Sequence, residues 1–263
     1  LKGLAGEEPV ILKMGGSVIT DKRRPMTVND SGLRSLAKSI AEARGLRLIL
    51  IHGGGSYGHY VAKTYGLSER PSSASPDGVS KTREAMMKLH LKVLESLIEE
   101  GIHTYTVPAS SLVKEGYIST HAISLLNSLL KLGAKPITFG DVLPSERGFY
   151  IISGDRLAYL LSEALKPKRV VFTLDVDGIY SGGPNSGEIL SEIDVEGESV
   201  ALNGESGVDV TGGISAKIRE ARSIARLGVD VYFVNGLKPD RVVKALKGEE
   251  TICTLMRGSG REA

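Results

Sequence analysis

Leu46-Arg47-Leu48-Ile49-Leu50-Ile51-His52-Gly53-Gly54-Gly55-Ser56-Tyr57-Gly58-His59 runs from an apolar stretch straight into a glycine turn. A short continuous apolar run bounded by glycines reads as a strand buried on both faces, the kind that sits inside a parallel sheet. The same pattern occurs upstream, where Val10-Ile11-Leu12 ends in Lys13-Met14-Gly15-Gly16-Ser17. Between the two, Asn29 or Asp30 can cap a helix carrying Leu33, Leu36, Ala37, Ile40 and Ala41.

Outward from these runs the alternation continues. Met86, Leu89, Val93 and Leu97 predict a long helix over about Val79 to Glu100, with Met87, Leu91, Leu94 and Ile98 on an adjoining face. Strands are expected at His103–Val107, Lys135–Phe139, Val170–Leu174, Val229–Val234 and Thr251–Leu255. A helix from Asp155 carries Leu157, Leu160, Leu161, Ala164 and Leu165, and Thr211-Gly212-Gly213 leads into one with Ile218, Ala221 and Ala225 that stops at Gly228. Pro239 starts a last helix. Repeated strand–helix alternation predicts an α/β fold with a largely parallel sheet. The polar stretch Ser68–Gly78 reads as a mobile loop, and the best internal boundary is Lys166-Pro167-Lys168.

Composition narrows the function classes. The 263 residues are 41% hydrophobic with a net charge of only +2, so neither disorder nor a strong electrostatic footprint for nucleic acid is expected. One cysteine, Cys253, excludes an internal disulfide. No apolar run reaches the ~18–20 residues of a membrane helix. Leu1–Glu8 lacks both an initiator Met and the layout of a signal peptide, and a cytoplasmic protein is expected.

Glycines cluster at the ends of strands: Gly15-Gly16-Ser17, Gly53-Gly54-Gly55-Ser56, Ser153-Gly154-Asp155 and Gly212-Gly213. Glycine there lets backbone N–H groups approach an anion, and a helix N-terminus adds unpaired donors and a favourable dipole. Several such loops suit a ligand with several phosphates. Gly53 to Gly58 also satisfies G-x-G-x-x-G, but the acid a dinucleotide site wants about 20 residues on is missing from the end of the next strand. Asp77 has the right count and falls in the polar loop. No G-x-x-x-x-G-K-[ST] is present.

Lysines accompany the glycines. Lys13 precedes Gly15, Lys22 lies in the following loop, and Lys217 is one helical turn past Gly213. Such cations neutralise charge in phosphoryl transfer. His59 ends the Gly53–Gly58 anion loop. His52 reads as a strand cap, and the other histidines have no metal-ligand spacing. Asp155 either caps its helix or holds a lysine, and Asp175 could accept hydrogens from a nucleotide.

Lys13-Met14-Gly15-Gly16-Ser17, Gly53-Gly54-Gly55, Asp175-Val176-Asp177-Gly178-Ile179-Tyr180 and Asp209-Val210-Thr211-Gly212-Gly213-Ile214-x-x-Lys217 together resemble the amino acid kinase superfamily over nearly the whole chain. A histidine closing the glycine loop, as His59 does, is similar to the isopentenyl phosphate kinases, with the fosfomycin kinases sharing much of the pattern. The resemblance implies a three-layer αβα sandwich with an acceptor-binding lobe, residues 1–166, and a nucleotide-binding lobe, residues 167–263. It implies Lys13, Lys22, His59, Asp155 and Lys217 as catalytic residues, and Gly54, His59 and Gly154 for the acceptor phosphate. Met86, Met87 and Ile151 are candidates to wall an apolar tail. Lys13, Gly15, Gly16, Ser17, Gly55, Asp175, Gly178, Tyr180, Gly212, Gly213 and Lys217 fall to the nucleotide. ATP and Mg²⁺, no resident metal, and a homodimer complete the expectation. The implied reaction is ATP-dependent phosphorylation of isopentenyl phosphate. The alternatives are a fosfomycin-type phosphonate kinase and a nucleotide-binding regulatory or storage protein.

Overall fold

The computed structural model describes residues 8–182, 186–196 and 212–260. The chain begins with β1 (Val10–Met14), α1 (Gly16–Ile19), α2 (Asp30–Glu42), β2 (Leu48–His52), α3 (Gly55–Thr64) and α4 (Pro76–Glu99). It continues through β3 (Thr104–Thr106), α5 (Ala109–Leu112), a hairpin of β4 (Val113–Lys114) and β5 (Tyr117–Ile118), α6 (Thr120–Lys131) and β6 (Lys135–Phe139). A second hairpin, β7 (Asp141–Ser145) with β8 (Gly148–Ile152), leads into α7 (Gly154–Leu165). Then come β9 (Arg169–Leu174), α8 (Gly212–Arg226), β10 (Asp230–Asn235), α9 (Pro239–Lys247) and β11 (Thr254–Met256).

Seven strands form one sheet in the order β11-β10-β9-β1-β2-β6-β3, parallel except for β11. Strand periodicity sorts its side chains into two layers. Ile11, Ile49, Ile51, Val170 and Phe172 join one core cluster with residues of α6, α7 and α8. Val10, Leu12, Met14, Leu48, Leu50 and Val171 join the other, with residues of α2, α4 and α9. The result is the expected αβα sandwich. The sheet runs unbroken past Lys166-Pro167-Lys168, because β1 pairs with both β2 and β9. β1 is therefore the point where the strand order reverses, and the crevice beyond its C-terminal end is where open α/β sheets bind ligands.

Several expectations need correction. Ser68–Gly78 is pinned rather than free: Ser72 and Phe149 exchange backbone hydrogen bonds, and Ile151 N–H donates to Ser68 O at 2.8 Å. Ser75 then caps α4, which begins at Pro76 and takes in Asp77. Met87 is 48% exposed and walls nothing inside the fold. The last strand is shorter and shifted towards the C-terminus, Thr254–Met256. Asp209, Val210 and Thr211 lie outside the described residues. No helix among the described residues is long and apolar enough to cross a membrane.

Candidate active site

The C-terminal ends of β1, β2 and β9 bring the glycine loops together. Gly16 approaches Gly55 so closely that a Cβ on Gly16 would sit 2.5 Å from the Gly55 nitrogen. Gly55 itself has φ +47°, a left-handed conformation that most side chains resist. Thr20 stitches the two loops together: its hydroxyl donates to Gly16 O at 2.6 Å and accepts from Ser56 N–H at 2.9 Å. Thr173 on β9 holds the first of these loops from the other side, its Oγ1 accepting from Gly15 N–H at 2.9 Å.

Lys13 shares strand parity with Ile11, so its side chain enters the layer of α7 and α8. There Asp155, in the first turn of α7, receives two ammonium groups. Lys13 Nζ is 2.6 Å from Oδ1, and Lys217 Nζ is 2.9 Å from Oδ2. All three side chains are largely buried. Burial opposes ionisation of Asp155, but the Lys13 and Lys217 ammonium groups outweigh it and hold the carboxyl well below the usual carboxylate range. Burial, with Lys13 adding to it, lowers the pKa of Lys217 against the opposing pull of Asp155. Two cations on one carboxylate leave a surplus of buried positive charge, which favours an incoming anion.

The two readings of Asp155 are thereby decided between. Ser153 caps α7, its Oγ accepting from Arg156 N–H at 3.1 Å, and Asp155 holds lysines. Gly154 backs onto the same centre, where a Cβ would lie 3.3 Å from Lys13 Cε. Lys22 stands apart from this trio: its Nζ is 3.0 Å from Asp175 Oδ2, and Ser17 Oγ donates to the other oxygen at 2.8 Å. His59 is exposed on α3. The chain packed around it and the nearby Lys13 and Lys217 charges lower its pKa, with Asp155 opposing, so the neutral ring is favoured.

Met86 Sδ rests on the glycine loop, 2.5 and 3.1 Å from where Cβ atoms on Gly58 and Gly54 would be. Ile151 instead packs beside Ala62, Leu67, Val79 and Val142 in a separate small cluster. Gly178 has a packing reason of its own, since a Cβ there would meet Thr254 Oγ1 at 2.7 Å, and Tyr180 bridges to Ile189. Gly212 and Gly213 open α8, as expected. No group of three or more His, Cys, Asp or Glu able to hold a metal occurs among the described residues.

The sequence reading missed a buried chain behind the loop. His52 is not a strand cap but bonds to His90 on α4, and His90 to Thr106 on β3. A signal existed: His90 falls four residues after Met86, on the buried face of an amphipathic helix, where a polar side chain needs a partner.

The amino acid kinase family model matches residues 8–235. The chain is similar to the isopentenyl phosphate kinase of Methanothermobacter thermautotrophicus, 36% identical over 95% of this chain and 99% of that one. Its counterpart from Thermoplasma acidophilum is 35% identical over 89% and 94%. The crystal structure of the T. acidophilum isopentenyl phosphate kinase product complex superposes with a TM-score of 0.77 at 32% identity, covering 95% of this chain and all of that one.

Proposed function

Because the chain belongs to the amino acid kinase family and groups there with isopentenyl phosphate kinases, we propose that it transfers the γ-phosphoryl group of ATP to isopentenyl phosphate, giving isopentenyl diphosphate and ADP. The observation that carries this reading is the buried, net-positive Lys13–Asp155–Lys217 group beneath two apposed glycine loops. That donor set suits phosphates: compact cations, backbone amides and the first turn of α7.

The acceptor brings its own nucleophile. A phosphate monoester has a second pKa near ~6, so its oxygen is already anionic at neutral pH and no general base is needed. That oxygen attacks the γ-phosphorus as the bond to the β–γ bridging oxygen breaks, and the electron pair leaves with ADP. The obstacle is bringing two polyanions together in line, which is a matter of positioning and electrostatics. In this reading Lys13 and Lys217 hold the transferring phosphoryl between the lobes, with Gly15, Gly16, Ser17, Gly55, Gly212 and Gly213 lining the nucleotide. Gly54, His59 and Gly154 take the acceptor phosphate, and Met86 walls its apolar tail. Lys22 swings from Asp175 to the transition state. Mg²⁺ is proposed to bind through the ATP phosphates and water rather than a protein cage, and supplies charge neutralisation there.

A homodimer is proposed as well. Met87, Leu91 and Ile98 form an exposed apolar stripe on α4 that a second copy would cover. Light scattering on Leu91→Glu tests it, with a shift to monomer expected. The activity test is ADP release with isopentenyl phosphate, fosfomycin or no acceptor. Release with isopentenyl phosphate alone is expected. Preference for fosfomycin supports the phosphonate kinase, and ATP binding without turnover supports a regulatory protein.

A further inference from the structure

We propose that His90, which touches neither substrate, is a positioning residue that aims the Gly54 N–H into the cleft by acting through His52. The inference rests on the kinase reading above and says how its acceptor loop is held. Both imidazoles are buried. His52 Nδ1 is 3.1 Å from Gly53 O, His52 Nε2 is 3.0 Å from His90 Nδ1, and His90 Nε2 is 2.8 Å from Thr106 Oγ1. A carbonyl oxygen only accepts, so the proton of His52 sits on Nδ1. Burial, and for His52 also the neighbouring His90, lowers the two pKa values to about 3 and about 4, so both rings are neutral. His52 Nε2 therefore accepts from His90 Nδ1–H, and His90 Nε2 accepts from the Thr106 hydroxyl. One carbonyl sets the polarity of the whole chain of hydrogen bonds.

The consequence for the loop follows from peptide geometry. None of the described peptide bonds is cis, and in a planar trans unit the C=O and N–H point in opposite directions. With the Gly53 carbonyl turned inward to His52, the Gly54 N–H is turned away from it, towards the crevice. Gly53 N–H is fixed separately, donating to Met14 O at 3.1 Å. Both rings also stack on Phe139, with centroids 5.0 and 4.4 Å away. Loss of the His90 donor leaves His52 Nε2 without a partner, so the ring is no longer anchored from behind and can turn together with the carbonyl it holds. Glycines on both sides make that peptide easy to turn over.

The test uses the full chain with three variants, His90→Phe, His90→Asn and Thr106→Val, and long-range ¹⁵N NMR of the imidazoles. In the unmodified protein His52 and His90 should both carry their protons on Nδ1. His90→Phe should raise the KM for isopentenyl phosphate roughly five- to tenfold, the value of one hydrogen bond, with the KM for ATP unchanged within about twofold. His90→Asn, whose amide restores a donor towards His52, should recover most of that loss. A proton on His52 Nε2 in the unmodified protein overturns the proposal. So does a parallel rise of both KM values, or Asn no better than Phe. Should His90→Phe fail to fold, Thr106→Val decides: loss of the hydroxyl that anchors His90 should raise the KM for the acceptor and leave that for ATP unchanged, and an unchanged acceptor KM or a parallel rise of both overturns the proposal. If the unmodified protein does not turn over isopentenyl phosphate, the assignment of that acceptor fails separately. The tautomers and the shift of the Gly54 amide on titration with inorganic phosphate then still decide the role of His90.

Discussion

Two lysine–aspartate groups stand at the end of the same sheet and are built in opposite ways. Lys13 and Lys217 close on Asp155 with side chains 6, 12 and 14% exposed, whereas Lys22 meets Asp175 with 63 and 36% exposed. The distances are similar, so distance is not what separates them. In the buried group water cannot screen the charges, and each ion depends on its neighbours. In the exposed pair, solvent replaces either partner at little cost. One arrangement fixes charge in place, and the other leaves a cation free to move when a substrate arrives.

The sharpest way to break that contrast is to neutralise each carboxylate. Asp155→Asn leaves two buried ammonium groups facing each other and should cost about 3–5 kcal/mol of stability, the range for breaking a buried ion pair. Asp175→Asn should change stability by no more than about 0.5 kcal/mol, as for an exposed site. Urea unfolding reads both. The buried group should also show its own pH dependence. The carboxyl of Asp155 is depressed in the folded state, so its contribution is complete above its unfolded pKa of 3.8 and is lost as pH falls through the folded value. Asp155→Asn should flatten that acid limb. Equal losses from both variants would sink the distinction between the two groups.

Rates sharpen the comparison next. If Lys22 is the mobile partner, Lys22→Ala should cut kcat about 10²–10³-fold, the worth of a donor aimed at developing charge, with no change in melting temperature. His59, also exposed, makes a parallel case on the acceptor side. His59→Ala should lower kcat/KM for the phosphate acceptor strongly, while His59→Gln, which keeps an N–H donor, retains more. ATP affinity should stay unchanged in both. Variants that alter only the melting temperature would return Lys22 and His59 to structural roles.

What the sequence disclosed follows the same division. Lys13 and the glycine turns after β1 and β2 were legible because each sits at the end of an apolar run, where position along the strand predicts position in the crevice, and Lys217 because it follows a glycine pair by one helical turn. The partner of the lysines was open between two roles, since Asp155 and the true cap, Ser153, are neighbours and both side chains suit a helix N-terminus. α6 and the β7–β8 hairpin went unread. The period of α6 is present, since Ala122, Leu125, Leu126, Leu129 and Leu130 follow i, i+3, i+4, i+7, i+8, and it was overlooked, whereas β8 is only half-buried and shows no alternation. Ser68–Gly78 looked free on composition alone, yet its backbone bonds to β8, and backbone pairing leaves no trace in side-chain type. The His52–His90–Thr106 chain joins three elements far apart in sequence, which only the parity of β2 and the buried face of α4 bring together.

The smallest expected effect probes the buried group without removing it. Burial and the adjacent Lys13 hold the pKa of Lys217 below its ordinary value of 10.5. Triphosphate oxygens arriving beside it add negative charge and should raise that pKa again. A group whose pKa rises on binding takes up protons, so nucleotide binding should draw a fraction of a proton from solution, and ATP affinity should fall as pH rises through the interval below 10.5. Calorimetric titration of ATP in two buffers of different ionisation enthalpy measures the uptake directly. Lys217→Arg, whose guanidinium stays charged throughout, should abolish it while keeping a cation at the site. Lys22→Ala should leave the uptake intact, because Lys22 stands at a different carboxylate, Asp175, away from the buried group. Uptake that survives in Lys217→Arg, or vanishes in Lys22→Ala, would show that Lys217 is not the group that takes up the proton and would sink the contrast drawn between the two lysine sites.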